Sequence, residues 1–144
     1  MIPVSQLRVV LASSSPRRRD LLNLVGITHT VQPADIDESL RAGELPEAYA
    51  ERLSRAKAET IAATNPDALI IGADTIVVID DTVLGKPLDV GDAERMLRIL
   101  SGRSHTVMTA VAVVFAGLTV SAVEMVDVTF RPIHDDEIRR YVDT

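Results

Sequence analysis

Apolar residues come in short blocks broken by polar or turn-forming positions, and the spacing inside each block changes along the chain. Residues 8–12, Arg-Val-Val-Leu-Ala, read as a short strand followed by a Ser13-Ser14-Ser15 loop. Pro16 suits the first position of a helix with Ser15 as its cap; Leu21, Leu22 and Val25 give that helix an apolar side, and Gly26 stops it. A second helix is predicted from Pro46 to Ala63, with Tyr49, Leu53, Ala56 and Ile61 as its stripe and Asn65-Pro66 as its end. Ala68 to Ile71 and Ile76 to Ile79 read as two short strands, and Asp80-Asp81 before Thr82 as a hairpin turn.

Asp89 caps a further helix that is expected to bury Ala93, Met96, Leu97 and Leu100, closed by Ser101-Gly102. Thr106 to Phe115 and Thr119 to Phe130 are two long strands around Ala116-Gly117-Leu118. Ile133 to Val142 opens a last helix with Ile138, Tyr141 and Val142 on one face, and the chain stops inside that periodic segment at Thr144. No repeat, low-complexity tract or linker interrupts the 144 residues, so they are read as a single domain of α/β (α+β) class with a mixed sheet.

Composition narrows this picture. Apolar residues make up 47% of the chain, enough for a core, but the aromatics are only Tyr49, Phe115, Phe130 and Tyr141. A core of Val, Ile, Leu and Ala suits a buried sheet flanked by helices. The net charge of −6 argues against non-specific binding to nucleic acid or to an anionic membrane, and the few aromatics offer no stacking platform for single strands. Absence of cysteine excludes a disulfide framework, a thiolate nucleophile and a cysteine zinc site. The apolar stretch within residues 1–12 is too short and interrupted for a signal peptide or membrane span, so the cytoplasm is the expected location.

Three segments could carry chemistry. Ser13-Ser14-Ser15-Pro16-Arg17-Arg18-Arg19 places a small-residue loop, a helix N-terminus and several guanidinium groups together, which suits an anion; the alternative is an ordinary cap with solvated arginines. The chain has thirteen Arg but only Lys57 and Lys86 as lysines, which suggests that a compact ammonium is needed there, although two surface lysines would look the same. Lys57 follows Leu53 by four residues and so projects near the apolar stripe; Lys86 sits in the turn Gly85-Lys86-Pro87. Gly72-Ala73-Asp74-Thr75 interrupts the apolar run Leu69 to Ile79, and Gly72 permits a close backbone approach or an irregular turn. An aspartate there is costly unless paired, hydrogen-bonded or on a metal, which points to a strand-end carboxylate facing a cleft; a turn aspartate between two strands is the alternative. The acidic run Asp35-Ile36-Asp37-Glu38 taken alone reads as a solvated loop. His29, His105 and His134 lack metal-ligand spacing, and the serines lack the His–Asp pattern of a serine hydrolase.

Leu11-Ala12-Ser13-Ser14-Ser15-Pro16-Arg17-Arg18, Ala56-Lys57-Ala58, Gly72-Ala73-Asp74-Thr75, Gly85-Lys86-Pro87 and Leu100-Ser101-Gly102 with His105 occur in an order that resembles the Maf family of nucleoside triphosphate pyrophosphatases. Val128-Thr129-Phe130 and the helix opening at Glu137-Ile138 follow in the order expected. The resemblance implies an elongated mixed sheet with helices around a central cleft, similar to the inosine triphosphatase superfamily. It also implies cleavage of a nucleoside triphosphate to monophosphate and pyrophosphate with a divalent cation, Mg²⁺ or Mn²⁺. Under it, Arg17, Arg18, Lys57 and Lys86 match phosphate-binding positions, with Ser13 and Ser15 in the same loop, and all four cations would converge with Asp74 on one pocket. Asp74 matches the proposed proton acceptor or metal ligand, and Glu38 an acidic position linked to the metal. The Ala-Asp-Thr form resembles the branch acting on dTTP and UTP, with Arg18 and Thr75 at positions tied to substrate choice.

The resemblance is compatible with a homodimer. Family members continue through a segment of the form Asp-Lys-Ala-Gly-x-Tyr-Gly-Ile-Gln-Gly that does not occur here, so the chain is expected to be truncated at its C-terminus. A nucleotide-binding or division-related regulatory protein with impaired catalysis is the competing expectation.

Overall fold

A computed structural model describes residues 7–143. Thr144, where the last helix was read as cut short, lies outside them, as do the first six residues of the N-terminal apolar stretch. The elements run β1 (Val9–Leu11), α1 (Pro16–Leu24), β2 (Thr30–Val31), α2 (Pro46–Ala62), β3 (Leu69–Ile79), β4 (Thr82–Leu84), α3 (Val90–Leu100), β5 (Ser104–Phe115), β6 (Leu118–Thr129) and α4 (Asp135–Val142). The strands form a mixed sheet in the order β2-β1-β3-β5-β6, with β4 paired to β3. β1 is parallel to both β2 and β3, whereas β3 and β4 are antiparallel. The expected mixed sheet with flanking helices is present.

The chain divides into two compact units. The first holds the residues through Asp74 together with Thr109–Val123. Its core is Val10, Ala12, Ala58, Ile61, Ala68, Ile70, Ala112 and Val114, so one face of the sheet is closed by α2. Side chains alternate across a strand, so Ile70, Gly72 and Asp74 share a face. Asn65 ends α2 as expected. Its Nδ2 donates to the Ile61 carbonyl at 2.9 Å and to Gln32 Oε1 at 3.1 Å, which satisfies a buried amide at the helix end.

The second unit holds Thr75–Met108 and the residues from Glu124 onward. Here Asp80 and Asp81 form the expected turn, both with positive φ (51° and 60°), which suits a two-residue hairpin. Asp89 caps α3 through the Asp92 amide at 2.7 Å. α3 and α4 pack together, and Ser101 Oγ receives the Ile133 amide at 2.7 Å.

Several expectations are corrected. The two short strands over 68–79 are one strand: β3 runs unbroken through Gly72, so Asp74 is neither at a strand end nor in a turn. Of the two conformations Gly72 permits, the structure has the close backbone approach and not the irregular turn: its extended backbone lies against α2. The apolar side of α1 is not buried: Leu21 and Val25 are exposed and Leu22 is only partly covered. In α3 only Leu100 is buried, and in α4 Ile138 is buried while Tyr141 is exposed. β2 has two exposed residues and carries no periodicity to announce it; it exists because it pairs with β1.

Candidate active site

β1 is the point at which the parallel sheet reverses its order. The chain leaves β1, crosses through α1 to β2 on one side, and returns through α2 to β3 on the other. Loops at the carboxyl ends of such strands diverge and leave a crevice, where ligands of open parallel sheets collect. The register pairs Leu11 with Ile71, and the Ala12 amide donates to the Ile71 carbonyl at 2.8 Å. Beyond that last bond, β1 opens into Ser13-Ser14-Ser15 and β3 continues into Gly72, Ala73 and Asp74.

The serine loop is ordered by its own side chains. Buried Ser13 accepts the Ser15 amide at 3.1 Å and Arg18 Nη1 at 3.3 Å. Ser15 caps α1 by accepting the Arg18 amide at 3.4 Å, with Pro16 in the first turn. Arg18 is thereby folded back over the N-terminus of its own helix. Burial holds its guanidinium below the ordinary arginine value; Asp74 opposes that shift and Arg17 adds to it. Arg18 and Asp74 therefore share an electrostatic neighbourhood, whereas Arg17 is exposed on the first turn beside them.

Gly72 allows α2 to come close. A Cβ at this position would lie 2.4 Å from the Ser54 carbonyl oxygen and 2.8 Å from the Ala58 amide nitrogen. With the helix backbone against β3, Lys57 reaches the next position on the same face: its Nζ is 3.0 Å from Asp74 Oδ1. The same Nζ is 3.1 Å from Glu38 Oε1. The Lys57 and Asp74 side chains are only 13% and 11% exposed, so this ammonium and carboxylate are largely withdrawn from water and depend on each other.

Glu38 lies in an exposed loop, as the acidic run suggests, but its carboxylate is drawn to Lys57 and its backbone is held in place. Its backbone carbonyl accepts a hydrogen bond from the buried Tyr49 hydroxyl, and Arg52 Nη2 donates to the next carbonyl, Ser39 O, at 2.9 Å. Arg52 also grips Glu44 with Nε to Oε2 at 2.7 Å and Nη2 to Oε1 at 2.9 Å, which lowers the Glu44 carboxyl from 4.5 to about 2. Sequence reasoning placed Tyr49 on the apolar stripe and did not single out Arg52. The available signal was a Tyr and an Arg three residues apart, on the helix that carries Lys57, after an acidic loop.

The first unit thus brings Ser13, Ser15, Arg18, Lys57, Asp74 and Glu38 together, with Arg17 at the margin. Thr75 follows Asp74 directly on β3 and is exposed, and Lys86 is exposed in the turn after β4; both belong to the second unit. His105 is buried in that unit with its ring edge-on to Phe130, a structural setting, and Nδ1 has no hydrogen-bond partner. Among the described residues no helix is long and apolar enough to cross a membrane, and no group of three or more His, Cys, Asp or Glu could hold a metal ion.

Residues 8–144 match the family model described as Maf-like protein. The chain is 50% identical over 142 residues to a dTTP/UTP pyrophosphatase of Moorella thermoacetica, covering 95% of this chain and 72% of the relative. It is 44% identical over 137 residues to a dTTP/UTP pyrophosphatase of Bacillus velezensis, again covering 95% and 72%. A third such pyrophosphatase, of Koribacter versatilis, is 46% identical over 136 residues, covering 94% of this chain and 70% of the relative. The Staphylococcus aureus Ham1 protein shares the fold, with a TM-score of 0.58 at 16% identity over 89% of this chain and 72% of that one.

Proposed function

The chain belongs to the Maf family, and from that premise we propose that it hydrolyses nucleoside triphosphates, dTTP and UTP in particular, to the monophosphate and pyrophosphate. The relatives named dTTP/UTP pyrophosphatases support the substrate class. The observation that carries the reading is the single Lys57 ammonium held between Asp74 and Glu38, in a unit where Asp74 also acts on Arg18.

A triphosphate brings several negative charges to the site. The Ser15-capped N-terminus of α1 offers amide donors and the positive end of the helix dipole, and Arg18 and Arg17 add guanidinium groups suited to phosphate oxygens. Lys57 supplies a compact ammonium that can shift from its carboxylates to a phosphate oxygen as charge develops there. Asp74 then holds the attacking water and accepts its proton. An oxygen–phosphorus bond forms from the water, the anhydride bond between the α- and β-phosphates breaks, and pyrophosphate leaves.

Two carboxylates that share one cation are hard oxygen donors of the kind that hold Mg²⁺ or Mn²⁺. Such ions are commonly bound by one or two carboxylates with substrate phosphates supplying further oxygens. Glu38 and Asp74 fit that role and would hold the ion, which when bound supplies charge neutralisation at the phosphates and acidifies a water.

The test is a pyrophosphate-release screen across ordinary and modified nucleotides, with Mg²⁺ and with Mn²⁺. The expected result is release from dTTP and UTP, lost in Asp74→Asn while calorimetry still detects nucleotide binding. Binding of dTTP by the parent protein without pyrophosphate from any nucleotide would overturn the proposal, and near-normal turnover in Asp74→Asn would remove this aspartate from the chemistry.

A further inference from the structure

Glu38 lies inside residues 32–45, a stretch without helix or strand beyond a turn at 42–43. A carboxylate on so long a connection would sample many positions and contribute little to a defined site, because ordering it costs conformational entropy. The loop is instead held to α2 at several points. The Tyr49 hydroxyl donates to the backbone carbonyl of Glu38 itself, the residue whose carboxylate meets Lys57. Arg52, one turn along the helix, donates to Ser39 O and clamps Glu44 with both arms of its guanidinium. The Arg52 guanidinium also lies 5.5 Å from the centre of the Tyr49 ring, so the two anchors support each other. Asp37 tightens the same bend by accepting the Ser39 amide at 2.9 Å and hydroxyl at 2.6 Å.

We propose that Tyr49 and Arg52 are positioning residues that hold Glu38 against Lys57, and that through Glu38 they set the affinity of this protein for a divalent cation. The inference rests on the reading of Glu38 as a carboxylate of the metal site. Each acts on the loop backbone at Glu38 and Ser39, not on the Glu38 carboxylate itself. Groups that orient a ligating carboxylate commonly change metal affinity by tenfold or more when removed.

The experiment titrates the full chain with Mn²⁺ alone, following the loss of the free-ion signal by electron paramagnetic resonance, for the parent protein, Tyr49→Phe, Arg52→Gln, Glu38→Gln and Tyr49→Phe combined with Glu38→Gln. Tyr49→Phe keeps the ring and its packing, so it folds even if Arg52→Gln does not. Tyr49→Phe and Glu38→Gln should each weaken Mn²⁺ binding by about tenfold, and the combined variant should be no weaker than Glu38→Gln. A purely structural role for Tyr49 would lower stability without this dependence on Glu38. Unchanged Mn²⁺ affinity in Tyr49→Phe, a loss that adds fully to that of Glu38→Gln, or a parent protein that binds no Mn²⁺ would each overturn the inference. If the coupling is found but no nucleotide yields pyrophosphate, the positioning role stands and the proposed activity falls. Pyrophosphate release with Mn²⁺ affinity indifferent to Glu38 has the opposite meaning.

Discussion

Gly72 faces Ser54 so closely that a single added methyl group would lie 2.4 Å from the Ser54 carbonyl oxygen. Its value is the absence of a side chain, and the helix brought near by that absence is the one that delivers Lys57 to Asp74. Gly72→Ala must push α2 away from β3. It should cost about 1–3 kcal/mol of stability by chemical denaturation, the range for overpacking a filled interior, with a larger proportional loss of turnover than of stability. Full stability in this variant would mean that the helix has slack the packing does not reveal.

Removing Lys57 leaves Asp74 withdrawn from water without its ammonium. Lys57→Met should lower the unfolding free energy by about 3 kcal/mol, as expected when one member of a buried ion pair is deleted. Combining it with Asp74→Asn should recover part of that loss while turnover stays absent. Equal stability of Lys57→Met and the parent protein would show that the pair is solvated in solution.

Arg18→Lys keeps the charge and removes the planar fork. With the donor to Ser13 lost and bidentate contact to phosphate no longer available, the KM for dTTP should rise about tenfold. An unchanged KM would place the phosphates elsewhere.

The Arg52–Glu44 clamp has a defined response to acid. The folded Glu44 carboxyl titrates at about 2 against an ordinary 4.5, chiefly because of its hydrogen bond from Arg52. A value lower in the folded state means that the contact stabilises the fold above about pH 4.5 and that this contribution is lost as pH falls towards 2. Thermal midpoints of the parent protein and Glu44→Gln should therefore differ near neutral pH and converge in acid. Parallel curves would show that the clamp does not persist in solution.

Much of this protein was legible as pattern. The 3.6-residue spacing of Tyr49, Leu53 and Ile61 located α2, the pair Asp80-Asp81 located a hairpin, and Asp89 located the start of α3, because each depends on interactions within a few residues. The serine-to-arginine loop and the scarcity of lysine drew attention to Arg18 and Lys57 for the same reason: residue type and local spacing already restrict what they can do. Long-range pairing settled the remainder. Gly72 in isolation permits either an irregular turn or a close backbone approach, and only the arrival of α2 across the sheet decides for a contact inside a continuous strand. β2 forms because β1 offers it a partner, and α1 shows an apolar side that packing leaves exposed. Glu38 lies nineteen residues before Lys57, and Asp74 seventeen after it, so no local rule could join them. Their meeting at one ammonium depends on how far a helix and a strand can approach, and that distance is a property of the packed molecule.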